Sequence, residues 1–288
     1  MKGRFMRVGT RIKSLYKGNI KRGFYAVLVV IGLFLIGAAS HDIMTGELEY
    51  QEARTEYDSI RELYPVISMF LPQTDGSAPG VDSGSRVPGS VSGQAALGDS
   101  DGPVSRAPVS EQEELLAGLK EINSDFIGWI YIEDVLDYPV VRGPDNDLYL
   151  DKTFSRKSNP AGAIFMDSRN SSGFGDPVCV LYGHNMKDGT MFAKLHKYRD
   201  SSFMADHPYV YVVTLEGEVL FYKIYAVKYE VSRDLIEDLS YARNAATASE
   251  FRNAPEGSSH FLILSTCANS SENTYGDDRL RIFAALVG

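Results

Sequence analysis

Two side chains stand where covalent chemistry could be done, each just past an apolar run. His184 follows Val178-Cys179-Val180-Leu181-Tyr182 through the single turn residue Gly183. Cys267 closes Phe261-Leu262-Ile263-Leu264-Ser265-Thr266 and is followed, after Ala268, by the polar run Asn269-Ser270-Ser271-Glu272-Asn273. A side chain at the end of a buried strand is held on a rigid frame yet faces outward, where functional groups are presented. A cysteine there has two open readings: a disulfide with Cys179, the only other cysteine, or a nucleophile. An unperturbed thiol has a pKa of about 8.5 and is mostly protonated near neutral pH, so a nucleophile needs an imidazole and a cation beside it. The cation is at hand in Asp277-Asp278-Arg279-Leu280-Arg281, whose arginines share one parity along a strand. They either face water or donate hydrogen bonds to a developing oxyanion.

The other histidines are less suggestive. His41 and His196 read as surface groups, His207 precedes a proline, and His260 opens a strand. No His-Glu-x-x-His or related ligand spacing occurs, and two cysteines cannot build a four-cysteine site, so no metal is expected.

The elements that must carry these residues are legible from residue 110 onward. Ser110 with Glu113 is a capping-box pattern, and Leu115, Leu116 and Leu119 fall on one helical face. Eight β-rich runs then follow, at 129–133, 138–141, 162–167, 177–183, 209–215, 218–231, 260–267 and 279–287. Their spacing lacks regular βα alternation and predicts a mainly β, α+β fold: an antiparallel or mixed barrel with helices outside it. Helical patches are expected at 190–198 and 244–253.

The N-terminal third reads differently. Residues 1–22 hold eight basic side chains and no acidic one, out of 29 basic and 38 acidic in all, which leaves the rest of the chain at net −17. So acidic a body is a poor partner for phosphate backbones, and nucleic-acid binding is not expected. Gly23 to Ala39 is seventeen residues without a charge. As a helix it would extend about 26 Å. It is read as a transmembrane anchor, N-terminus inside by the positive-inside rule, with a cleaved signal peptide as the alternative. Residues 40–71 are expected to be a juxtamembrane helix broken near Pro65. Residues 72–110 contain five Pro, seven Gly and eight Ser, a composition too poor in apolar surface to offset its ordering entropy, and are read as a flexible linker. The catalytic domain would then occupy 111–288, outside the cytoplasm.

Taken as an ordered set, the motifs resemble a known family. Ile263-Leu264-Ser265-Thr266-Cys267 is similar to the T-L-x-T-C signature of the sortases, with Ile where Thr is usual. Tyr182-Gly183-His184-Asn185-Met186 and Arg281 fall in that family's order. Ile127-Gly128-Trp129-Ile130, Asp137-Tyr138-Pro139-Val140-Val141, Asp145-Asn146-Asp147-Leu148-Tyr149-Leu150 and Gly162-Ala163-Ile164-Phe165-Met166-Asp167-Ser168-Arg169-Asn170 look like class B segments. The resemblance covers residues 111–288 and implies a closed eight-stranded barrel of sortase type and a cofactor-free cysteine transpeptidase. It implies Cys267 as nucleophile, His184 as acid and base and Arg281 at the oxyanion, with Arg279 the alternative arginine. Ser265, Thr266 and Asn146 are implied to bind substrate. The implied partners are secreted proteins with a C-terminal sorting motif, and an acceptor amine from a peptidoglycan precursor or a pilin lysine. Anchoring and pilin polymerisation are both open, as is a membrane-anchored binding module in which Cys267 is inert. A papain-type protease would place its cysteine before its histidine, the reverse of the order here. Leu71-Pro72-Gln73-Thr74-Asp75-Gly76 resembles a sorting motif with one residue inserted, either by the composition of the linker or as a self-substrate.

Overall fold

The structure, a computed structural model, describes residues 3–71, 109–231, 253–267 and 278–287. Helix α1 (Gly3–Leu63) is followed by α2 (Val66–Phe70) and, after the residues left undescribed, α3 (Val109–Ile122). The break between α1 and α2 falls where Pro65 lacks an N–H and forces Tyr64 out of the helical region. Two compact units divide the chain, one ending at Gln51 and the other beginning at Glu52. In the second, the last turns of α1 bury Ala53, Tyr57 and Ile60, a spacing that lines one helical face.

The expected transmembrane anchor is not found. Among the described residues no helix is long and apolar enough to cross a membrane. The uncharged run is seventeen residues, at the lower limit of the ~17–25 that a spanning helix uses, and lies within a helix of 61 that is otherwise rich in charged residues. This overturns the single-pass placement and the extracellular localisation drawn from it. The expected linker lies outside the described residues up to 108, and so do residues 72–76 of the sorting-like stretch.

Eight strands follow: β1 (Phe126–Ile132), β2 (Leu136–Val141), β3 (Ile164–Met166), β4 (Val178–Tyr182), β5 (Tyr209–Thr214), β6 (Val219–Val231), β7 (Phe261–Cys267) and β8 (Asp278–Leu286). They close a barrel in the order β1-β2-β3-β4-β7-β8-β6-β5. Strands β2/β3 and β4/β7 pair in parallel and the others antiparallel. Closure depends on β6, whose thirteen residues serve two partners: its first part pairs with β5 on one edge, and from Tyr222 onward it runs along β8 on the other, through a bulge at Ile224/Ala226. A bulge bends a strand and raises its twist, which lets one long strand turn the corner of a small barrel. The expected helix at 190–198 is a 3₁₀ segment over Ala193–Arg199, and the one at 244–253 lies almost wholly outside the described residues.

Both faces of β4 and β7 are covered, so their sequences are continuous apolar runs rather than alternating ones. One face carries Val178, Val180, Phe261, Ile263, Phe283 and Ala285, packed against Tyr225. The other holds Cys179, Leu181, Leu262, Leu264, Ile282 and Ala284. Cys179 reaches towards Tyr222 of β6, a strand that is not its neighbour, so this second face looks into the barrel. The Cys179 thiol is free, and burial pushes its pKa up to about 12, which makes it inert near neutral pH. The disulfide reading therefore fails: Cys179 pairs in register with Leu262, five residues before Cys267.

Candidate active site

The ends of β4 and β7 and the beginning of β8 meet at one end of the barrel. Tyr182 is in register with Ser265, and Ser265 with Arg281, which faces Lys228 on β6. One step further along, position 267 is opposite Arg279, and Arg279 opposite position 230. His184 lies two residues beyond Tyr182, and Gly183 N–H donates to the Ser265 carbonyl at 3.4 Å, carrying β4 onward beside β7. Neighbouring strands are ~4.8 Å apart, so His184, Cys267 and Arg279 share one level and Tyr182, Ser265 and Arg281 the next. Positions 182, 265, 267, 279 and 281 thus lie within a few strand widths of one another.

Alternation sorts them further. Ser265 and Arg281 belong to the set of Ile263 and Phe283, on the outer face, and are 2% and 3% exposed. Thr266 belongs to the inward set with Leu264 and is 1% exposed, so a place in an outer cleft does not suit it. Arg279 is more exposed than Arg281. Asn146, also expected to contact substrate, accepts a hydrogen bond from Ser168 N–H at 2.8 Å and so braces the turn after β3.

His184 is oriented by backbone. Its Nε2 is 2.7 Å from the Leu150 carbonyl oxygen, which can only accept, so Nε2 carries the hydrogen and Nδ1 is left as the second ring nitrogen. Leu150 ends a short 3₁₀ turn (Leu148–Leu150) capped by Asp145, whose carboxylate accepts from the N–H groups of Asp147 and Leu148 at 3.0 and 2.9 Å. Gly162 packs against the same ring. At φ 60° it occupies the left-handed region, and a Cβ there would lie 2.5 Å from the Tyr149 carbonyl oxygen, 2.8 Å from that of Leu150 and 3.2 Å from His184 Cδ2. Gly183 is a glycine for a related reason, since a Cβ would meet Ile164 and the Phe192 ring at 2.6–2.7 Å.

A buried ionic network adjoins the arginine. Tyr182 donates to the Asp167 carboxylate at 2.8 Å, and Arg169 forms an ion pair with the same group. Burial alone would push the Asp167 carboxyl up, but the hydrogen bonds from Arg169 and Tyr182 outweigh it and hold it below the usual range. Tyr182 is raised by burial first and by Asp167 next, while the charges of Arg169 and Arg281 act the other way. A depressed folded-state carboxyl contributes stability that is present above its unfolded pKa and lost as pH falls through the folded value. Asp167→Asn should therefore flatten the acid limb of the stability curve below about pH 4, as read by chemical denaturation across pH. An unchanged limb would show that Asp167 is not held ionised.

Leu150, Gly162, Asp167 and Arg169 carry no site signal of their own in the sequence. Two act through backbone and two through a network, and the resemblance to class B segments was the one hint. Two cavities of about 490 and 480 Å³ lie elsewhere, one between α2 and α3 and one along the β1–β2 turn, and neither is lined by His184, Ser265 or Arg281.

A family model for the sortase domain matches residues 130–287. Sortase B of Listeria monocytogenes is 34% identical over 194 residues, covering 62% of this chain and 76% of that protein. The chain belongs to the sortase family, in class B. Among solved structures, Clostridium perfringens sortase B is similar at 30% identity with a TM-score of 0.50, covering 60% of this chain and 99% of that one. Staphylococcus aureus sortase B, solved as a substrate complex, is similar at 25% identity with a TM-score of 0.50, covering 61% and 85%. This sortase is accordingly a cysteine transpeptidase on a closed eight-stranded barrel.

Proposed function

We propose that this sortase cleaves a sorting motif near the C-terminus of secreted proteins and passes the acyl product to an amine. The observation that supports the reading is the register of β4, β7 and β8, which brings the ends of the three strands together, with position 267 opposite Arg279 and Ser265 opposite Arg281, and His184 two residues beyond Tyr182. The Cys267 thiolate attacks the carbonyl carbon of the motif's scissile peptide bond, forming a C–S bond and a tetrahedral oxyanion. Arg281 donates hydrogen bonds to that oxyanion, with Ser265 beside it on the same level. Collapse breaks the C–N bond, and His184 gives its proton to the departing amine. The thioacyl-enzyme is then attacked by an acceptor amine, from which His184 takes a proton, and the thiolate leaves. The acceptor fits either a peptidoglycan precursor or a pilin lysine, both unhindered primary amines. A peptide substrate agrees with the S. aureus relative solved as a substrate complex.

The experiment is to mix the full chain with a panel of quenched sorting peptides and follow Cys267 by mass spectrometry. An acyl adduct is expected on Cys267 alone, discharged by triglycine or by a lysine-bearing peptide. Cleavage with no adduct on Cys267, or an adduct that only water discharges, would overturn the transfer reading.

A further inference from the structure

We infer that Tyr57, from the last turns of α1, is a positioning residue for His184, acting through the loop that joins Tyr149 to Ala163. The inference rests on the reading of His184 as partner of Cys267. The Tyr57 hydroxyl donates to the Gly162 carbonyl at 2.7 Å and accepts from Phe154 N–H at 3.2 Å. These contacts bridge 105 and 97 residues of chain, and Tyr57 is 3% exposed. Gly162 in turn packs on the His184 ring, and the Leu150 carbonyl that accepts from His184 belongs to the same loop, which is closed by Ala163 N–H on the Tyr149 carbonyl at 3.1 Å. A single hydroxyl therefore pins both the loop's end and its middle, and the loop holds the imidazole on one side.

The other side of His184 is braced from the same helix face. Arg54, three residues before Tyr57, pairs with Asp188 at 3.2 Å and so grips the segment that follows the histidine. The Tyr57 ring meets Tyr138 edge-on at 5.2 Å, and the Tyr138 hydroxyl accepts from Met191 N–H in that segment at 3.1 Å. The segment folds back where Phe192 N–H donates to the His184 carbonyl at 2.9 Å. An imidazole can tune a thiol only while it is held in place, and small displacements of such a group cost rate steeply. The charged and titratable groups around Tyr57 are Glu56 and Arg61 on α1 and Tyr138 on β2, none of which changes when the hydroxyl is removed.

Tyr57→Phe removes that hydroxyl and keeps the ring. Iodoacetamide serves as the probe, because alkylation of Cys267 tracks its thiolate fraction and the buried Cys179 does not compete. In the full chain, Tyr57→Phe is expected to shift the midpoint of Cys267 alkylation to higher pH. The rate at pH 7 should fall about threefold to tenfold, with no change at pH 10 where the thiol is ionised regardless. Ile60→Val, a buried change one turn along α1, should lower the melting temperature without moving the profile. A Tyr57→Phe profile that superimposes on wild type, or an equal shift in Ile60→Val, overturns the positioning role. His184→Gln should shift the profile further than Tyr57→Phe. If it leaves the profile unmoved, the pairing of His184 with Cys267 fails and this inference falls with it.

Discussion

Arg281→Ala should slow acyl-enzyme formation on Cys267 by about 10²–10³-fold, a loss of ~3–4 kcal/mol in transition-state stabilisation, which is the size of effect measured when an oxyanion donor is removed. Arg279→Ala should stay within about threefold of wild type, as expected for a more exposed charge. The register alone does not decide between them, since Arg279 is the one opposite position 267. Environment separates them. Arg281 is 3% exposed and close enough to influence the Tyr182 hydroxyl, so its guanidinium works where water is scarce and a hydrogen bond to an oxyanion is strong. Arg281→Lys should recover little, because an ammonium lacks the planar fork that can hold two oxygens at once. Single-turnover acylation with a quenched peptide measures all three variants, and thermal unfolding checks that each is folded. Loss confined to Arg279→Ala would exchange the two roles.

Gly162→Ala is expected to cripple acylation by about 10²-fold while lowering the melting temperature. The left-handed conformation costs a non-glycine residue roughly 1–2 kcal/mol. The larger penalty is spatial: the added methyl would sit 2.5 and 2.8 Å from the carbonyl oxygens of Tyr149 and Leu150, and backbone cannot step aside as a flexible side chain can. The Leu150 carbonyl is the acceptor for His184, so relieving the clash moves the atom that fixes the imidazole. The check is the acylation rate beside the melting temperature of the same preparation. Wild-type rate with an unchanged melting temperature would show that the loop is free to reshape.

The residues differ in how openly they declared themselves. All eight strands were legible because each is an apolar or β-branched run bounded by turn residues, and β4 and β7, apolar along most of their length, stood out most. The barrel's circuit was not, since β4 beside β7 and β6 beside β8 are pairings across long stretches of chain that no local pattern encodes. His184 and Cys267 were singled out by position, as residues ending buried runs, and the resemblance to the family supplied the roles proposed for them. The supports of His184 were hidden because a carbonyl at Leu150 and a hydroxyl at Tyr57 leave no mark on the sequence around them. Thr266, which the resemblance implies in substrate binding, is 1% exposed and belongs by strand alternation to the inward set, an orientation its neighbours in the sequence do not announce. The anchor expectation weighed apolarity without continuity, and seventeen uncharged residues proved to be a short interval within a 61-residue helix.

The depth at which Cys179 lies has a practical and a biological corollary. With Cys179 silenced, any maleimide dye consumed near neutral pH reports on Cys267, with no background from the other thiol to subtract. It also means that a Cys267 oxidised to sulfenic acid finds no neighbour in its own chain to trap it as a disulfide. Recovery from oxidative damage must then come from a reductant supplied by the surroundings.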